Sequence, residues 1–205
     1  MAFTVKQLAV GGFDNNFSYF ITADNGDAAL VDPTGEAEII RRALAEYGTC
    51  TPRYILLTHG HLDHSQALGE ILADFPAQII AHPNHPEAGG KRVRDGEKIP
   101  FGDGFIELLF TPGHSRDSVC YRLSDDTALF TGDVLFVGCV GFCRSREMFN
   151  SLNKKILPLA DTLVIYSGHD YGTVPFRTLG EEKQLNPFLH CADLDGFRQK
   201  LREMD

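Results

Sequence analysis

The sequence has no block of lysine or arginine able to follow a phosphate backbone, and its balance is acidic, with 19 basic against 28 acidic residues in 205 and a formal charge of −9. Nucleic acid and anionic membranes are therefore not expected partners. No apolar run reaches membrane-spanning length. The opening "MAFTVKQLAVGGFDNNF" carries neither a basic segment followed by an apolar core nor a cleavage-like site, so no secretory signal is read. Cysteine is scarce and odd in number: Cys50, Cys120, Cys139, Cys143 and Cys191 are scattered, as free thiols of a reducing compartment would be, and the cytoplasm is the expected location. Internal repeats, low-complexity tracts and long Pro/Gly/Ser linkers are also missing. Residues 1–205 are thus expected to form a single domain, and a hydrophobic content of 43% suffices for its core.

What the sequence does contain is an alternation of short apolar runs with helical patterns. "FSYFITA", "AALVD", "YILLT", "QIIAH", "IELLFT", "SVCYRL", "TALFTGDVLF" and "TLVIYS" read as strands, and Glu36–Tyr47, Ser65–Phe75, Glu147–Pro158 and Gly180–Asn186 as helices. The order predicts an α/β fold. Ser65 is the expected cap of the second helix, and Pro83–Gly104 reads as a surface excursion between two strands. Leu194, Phe197 and Leu201 have helical spacing and read as a packing face.

Four strands end alike, in "YILLTHGH", "LLFTPGH", "ALFTGD" and "VIYSGH". In each, a glycine (Gly60, Gly113, Gly132 or Gly168) permits a sharp turn or a close approach, and a residue of metal-ligand type stands beside it. His59, His61, His114, Asp133 and His169 then lie at the carboxyl ends of strands, where open α/β sheets bind ligands. "THGHLDH" adds Asp63 and His64. Side chains two apart on an extended segment point to one side, so His59 and His61 can grip one ion while Asp63 and His64 face elsewhere. The split predicts His59, His61 and His114 for one divalent ion and Asp63, His64 and His169 for a second, with Asp133 bridging. Imidazole and carboxylate donors without thiolate suit zinc, placed first, or iron or manganese, in an open catalytic site.

"THGHLDH", "TPGHS", "TGD" and "SGHDYG" resemble the metallo-β-lactamase superfamily, in its hydroxyacylglutathione hydrolase (glyoxalase II) branch. The resemblance implies a four-layer αβ/βα sandwich with the site along one edge. It also implies that His59, His61, Asp63, His64, His114, Asp133 and His169 are the metal ligands. "GHDYG" and "TLGEEKQLNPFL" are similar to short, single-domain relatives and to persulfide dioxygenases, since glyoxalase II proper continues into a helical domain that helps hold glutathione. After the bridging aspartate the family pattern Gly-x-Gly-Arg is replaced by "GCVGFCRSR", with Phe142 at the arginine position.

The expected activity is metal-dependent hydrolysis of a small-molecule thioester, a glutathione conjugate by resemblance, by a hydroxide held between two metals, with Asp63 and Asp133 as catalytic residues. A thiolate leaving group of ordinary pKa, roughly 8.5, hardly needs a general acid. Phe142, Tyr171 and Arg144 (or Arg146 or Arg177) are candidate substrate contacts. The alternative is an iron-dependent oxidation of glutathione persulfide on a facial triad of His59, His114 and Asp133. His82, His85 and His190 lie outside the motifs and are left out of the site. Cys139 and Cys143 read as small buried hydrophobes rather than a redox pair. Asp32, in "ALVDP", either supports a ligand histidine from behind or makes a turn before Pro33.

Overall fold

Strands that are apolar on both faces need cover on both faces, and the chain supplies it in four layers. The structure, a computed structural model, describes residues 3–46, 51–87 and 89–204; Tyr47, the expected end of the first helix, and Cys50 lie outside the described residues. One sheet is formed in chain order by β1 (Phe3–Gly11), β2 (Asn16–Ala23), β3 (Ala28–Val31), β4 (Tyr54–Leu56), β5 (Gln78–Ala81) and β6 (Lys91–Arg92). The first three are antiparallel and the rest parallel. The other sheet runs β12 (Arg177–Thr178), β11 (Val164–Ser167), β10 (Ala128–Gly132), β9 (Val119–Leu123), β8 (Gly104–Phe110) and β7 (Lys98–Phe101). Only its β10–β11 pairing is parallel.

The two sheets stack face to face. Phe17, Tyr19 and Ile21 project from one side of β2 into the space shared with Leu108, Tyr121 and Phe130 of the second sheet, as the period of two requires. Phe20 projects from the other side, towards α1 (Ala37–Glu46) and α2 (Leu68–Asp74). α1 meets the sheet with Ala37, Ile40, Ala43 and Leu44, one stripe of the helix. The outer face of the second sheet is covered by α3 (Ser145–Ser151), α4 (Leu179–Leu185) and α5 (Leu194–Arg202) through Met148, Leu179 and Phe197. Buried tyrosine hydroxyls stitch the layers: Tyr121 donates to the Leu57 and Ile80 carbonyls at 3.0 and 3.1 Å, and Tyr19 to that of Ser167. The expected α/β sandwich is therefore what the chain forms, and among the described residues no helix is long and apolar enough to cross a membrane.

Several element assignments need correction. β1 was not expected; it is an edge strand with half-exposed faces, so its apolar alternation is blurred. The excursion Pro83–Gly104 contains β6 and β7, and Pro100 is tolerated because β7 lies at a sheet edge. Ser65 does not cap α2. Residues Leu62–His64 already wind as a tight turn, the Ser65 N–H bonds back to the Leu62 carbonyl at 3.0 Å, and the helix proper starts at Leu68 without a side-chain cap. α3 starts two residues before the expected Glu147 and ends at Ser151, where the backbone widens into a π-helical turn over Leu152–Ile156. α4 has a reciprocal capping box between Thr178 and Glu181, and Asp193 caps α5 by accepting from the Gly196 N–H at 2.9 Å.

Candidate metal centre

The carboxyl ends of β4, β8, β10 and β11 meet along one edge of the sandwich, and the backbone is tied across them. Phe17 donates its N–H to the Gly168 carbonyl at 2.8 Å, Gly168 donates to that of Gly132 at 2.8 Å, and Val119 donates to that of Thr58 at 2.9 Å. Two glycines make this closeness possible. Gly132 has φ +48°, and a Cβ there would lie 2.5 Å from Thr58 Oγ1. A Cβ on Gly168 would lie 2.4 Å from Asp133 Oδ1 and 2.5 Å from His64 Cε1.

All seven predicted donors come together. Three groups have their ligand atoms within 4.8 Å of one another and could hold ions: His59, His61 and His114; Asp63, His64 and His169; and His59, His64 and Asp133. His61 Nδ1 is 2.9 Å from both His59 Nε2 and His114 Nε2. His169 Nε2 is 3.4 Å from Asp63 Oδ2 and 3.3 Å from Asp133 Oδ2. Asp133 reaches both sides, with Oδ1 at 3.3 Å from His64 Nε2 and Oδ2 at 3.4 Å from His114 Nε2. The expected separation of the two sets is incomplete, because His59 belongs to two groups and its ring centroid is 4.2 Å from that of His64.

Outer hydrogen bonds decide which nitrogen of His59, His64, His114 and His169 faces inward. His114 Nδ1 donates to the Phe142 carbonyl at 2.9 Å and His169 Nδ1 to the Asp14 carbonyl at 2.8 Å. His64 Nδ1 donates to Asp32 Oδ2 at 3.0 Å. Thr58 gives its hydroxyl proton to Asp32 Oδ2 at 2.6 Å, so its oxygen is free to accept from His59 Nδ1 at 3.1 Å. Each of these rings, when neutral, turns a lone pair inward, and for His64, His114 and His169 that lone pair faces a carboxylate. Such contacts need a cation between them, either a proton on the ring or a metal ion. His64 Nε2 and Asp133 Oδ1 are moreover buried without a hydrogen-bond partner. Donor chemistry and orphaned atoms together fit divalent metal ions.

The electrostatics show the same polarity. Burial pulls the His64 pKa down, but the carboxylates of Asp133 and Asp32 outweigh it and push it up to about 10. Burial opposes ionisation of Asp133, yet the adjacent His169 and His64 rings hold it well below the usual carboxylate range. His59 is held well below its ordinary value by burial and by the neighbouring His64, and His114 is lowered chiefly by burial.

Asp32 fulfils both roles open to it. It sits before Pro33 in the left-handed region at φ +45°, and its carboxylate accepts from the Thr58 N–H at 2.8 Å, the Thr58 hydroxyl and His64. Sequence reasoning missed Asn16, which donates to Asp63 Oδ2 at 3.2 Å, and Asp14, whose carboxylate accepts from the Tyr171 hydroxyl. It also missed Glu182, fully buried, which accepts from the Gly138 N–H and from Asn186 Nδ2, both at 2.9 Å, and so anchors the loop after Asp133. Only the "DNN" turn after Gly11 and Gly12 hinted at any of these.

A cavity of about 280 Å³ opens beside the cluster, lined by His114, Asp133, Phe136, Cys139, Phe142 and Tyr171 among others. Phe142 and Tyr171 are thus brought to the site; the Tyr171 ring stacks on His169 at 4.9 Å with planes 2° apart. Arg144 is turned towards Glu147 at 3.7 Å, and Arg177 towards Glu182 at 3.4 Å. His82 stacks on Phe110, and His85 Nδ1 accepts from the Glu87 N–H, both outside the cluster.

A pair of stacked six-stranded sheets, flanked by helices and carrying a histidine–aspartate cluster at one edge, defines a metal-binding hydrolase architecture. The chain belongs to the metallo-beta-lactamase superfamily, whose family model matches residues 11–169. It is 30% identical to a probable hydroxyacylglutathione hydrolase (glo2) of Schizosaccharomyces pombe, over 95% of this chain and 90% of that protein. Among solved structures it is similar to ETHE1 from Myxococcus xanthus, with a TM-score of 0.86, 28% identity and coverage of 100% of this chain and 92% of that one. It is also similar to TTHA1623 in a di-iron-bound form, with a TM-score of 0.76, 26% identity and coverage of 89% of this chain and 99% of that one.

Proposed function

We propose that the protein is a metal-dependent thioester hydrolase of the hydroxyacylglutathione type, folded as a single domain over residues 1–205 and working in the cytoplasm. The observation that carries this reading is the seven-residue donor cluster beside an open cavity, in a chain aligned almost end to end with a probable hydroxyacylglutathione hydrolase. His59, His61 and His114 would hold one divalent ion and Asp63, His64 and His169 a second, with Asp133 between them. Zinc is placed first, iron or manganese next. Ions bound there would supply a Lewis acid and a nucleophile generated from water near neutral pH.

The chain's own groups do the rest. Asn16 points Asp63 Oδ2 into the cluster, where it can accept a proton. Tyr171 already donates its hydroxyl hydrogen bond to Asp14, and its pKa is raised by burial and by that carboxylate. Cys139 is likewise raised, chiefly by burial. Neither is suited to protonate a leaving group, which favours a thiolate over an amine. The cysteines Cys120, Cys139, Cys143 and Cys191 are free thiols, in keeping with a reducing compartment.

The metal-loaded protein is expected to hydrolyse lactoylglutathione. Full metal occupancy without turnover on this and other glutathione thioesters would overturn the reading. One grouping favours a second activity: His59, His64 and Asp133 form a two-histidine, one-carboxylate set, here with His64 where the sequence suggested His114. Together with the likeness to ETHE1, it supports iron-dependent oxidation of glutathione persulfide, read out as dioxygen consumption.

A further inference from the structure

The cavity beside the donor cluster does not end at Phe142. A second cavity, of about 200 Å³, adjoins it and is lined by Gly141, Phe142, Cys143, Leu201, Arg202 and Met204. Gly141, Phe142 and Met204 line both, so the two form one groove from the donor cluster to the end of α5. Its walls are apolar. Phe142 is 88% exposed and Met204 50%, although folding favours covering such side chains. Phe13, Leu62 and Tyr171 are exposed as well, and each stands within two residues of a group that reaches the cluster: Asp14, Asp63 and His169.

The far end of the groove is cationic. Arg198 and Lys200 on the same helix are engaged by Asp195 and Glu203, at 3.1 and 2.5 Å. Among the described residues Arg202 has no such ion pair, and it is one of the residues that line the groove. In a chain of net charge −9, a guanidinium at the end of an apolar trench favours an anion presented on a hydrophobic arm, by the two parallel hydrogen bonds that the planar arginine fork donates to a carboxylate.

We propose that this groove is the specificity subsite of the enzyme. It takes a thioester whose acyl or thiol half is an apolar chain ending in a carboxylate, with Phe142 and Met204 gripping the chain and Arg202 pairing the anion. The inference rests on the hydrolase reading for its reaction and on the two cavities for its geometry.

The test compares the adipoyl thioester of N-acetylcysteamine with its methyl ester, and the acetyl thioester of mercaptohexanoate with its methyl ester, so that the carboxylate is placed on either half. With the metal-loaded protein, one of the two carboxylates should lower KM about tenfold relative to its ester, the scale of one charge-assisted bond. Arg202→Gln should bring that ratio close to one, Arg202→Lys should keep part of it, and Arg198→Gln, the same charge change on the same helix, should leave it as it was. A wild-type ratio near one, or an unchanged ratio in Arg202→Gln, overturns the subsite. The non-hydrolysable thioethers of the same four compounds are titrated in parallel by calorimetry. If no thioester is cleaved but the carboxylate thioether still loses about tenfold in affinity with Arg202→Gln, the hydrolase reading fails and the groove stands; equal affinities overturn the groove itself.

Discussion

Asp32 is the residue through which the fold reaches the donor cluster, and Asp32→Asn isolates that link. The backbone at φ +45° suits asparagine as well as aspartate, and the side-chain volumes match. The carboxylate accepts three donors at a position only 2% exposed: the Thr58 N–H, the Thr58 hydroxyl and His64 Nδ1. An amide offers one oxygen and turns an NH2 group towards the remaining partners. If the oxygen keeps the Thr58 N–H, His64 must present Nδ1 as an acceptor, which moves its proton to Nε2 and removes the inward lone pair. Thr58 is disturbed too, and with it the acceptor that orients His59. One or two charge-assisted bonds lost in a buried site cost about 2–4 kcal/mol of stability, and loss of such outer support weakens metal binding by about 10–100-fold. Chelator competition with zinc gives the affinity, and urea unfolding of the metal-free protein gives the stability. Wild-type affinity in Asp32→Asn would refute the argument that outer hydrogen bonds set the inward-facing nitrogens.

Gly168→Ala would place a methyl group 2.4 Å from Asp133 Oδ1, so metal content should fall sharply while circular dichroism shows a folded chain; full metal occupancy would contradict the packing argument. Glu182→Gln should loosen the loop over Phe136–Val140 at a cost of about 1–3 kcal/mol, seen as faster amide exchange at Gly138. The metal-free protein should lose stability as pH rises, because the folded pKa of His64 lies above its unfolded value. The stability it contributes is complete below about 6.5 and disappears as pH passes about 10, with urea midpoints as the readout. Asp133 acts in the opposite sense, its contribution being lost as acid protonates it. Asp133→Asn should lose metal and turnover together, and two ions per chain in that variant would show that it does not bridge.

The metal-type donors were legible in the sequence because their strands are apolar runs, fully buried in β4 and β10 and half-buried in β8 and β11, each followed by a glycine turn that marks where His59, His114, Asp133 and His169 must stand. β1, β6, β7 and β12 were not legible: they are short or at sheet edges, where one face meets solvent and the alternation fades. The outer support was the least visible. Tyr171 bonds to Asp14 across a separation of 157 residues, and nothing in either neighbourhood announces the partner. Ser65 failed as a cap for a local reason, since the Ala67 and Leu68 N–H groups that a cap would serve already donate to the Pro33 and Ser65 carbonyls, at 3.2 and 3.1 Å. Arg144, offered as a substrate contact, is engaged by Glu147 on α3, an i,i+3 pairing that its spacing from Glu147 allowed.

Seven side chains at one edge of the sandwich are proposed to hold two metal ions in a working hydrolase. Elemental mass spectrometry on protein purified anaerobically without added metal is the decisive measurement. Close to two zinc, iron or manganese ions per chain, both lost on chelation together with thioester turnover, is the predicted result. A single ion per chain that no reconstitution raises would contradict it.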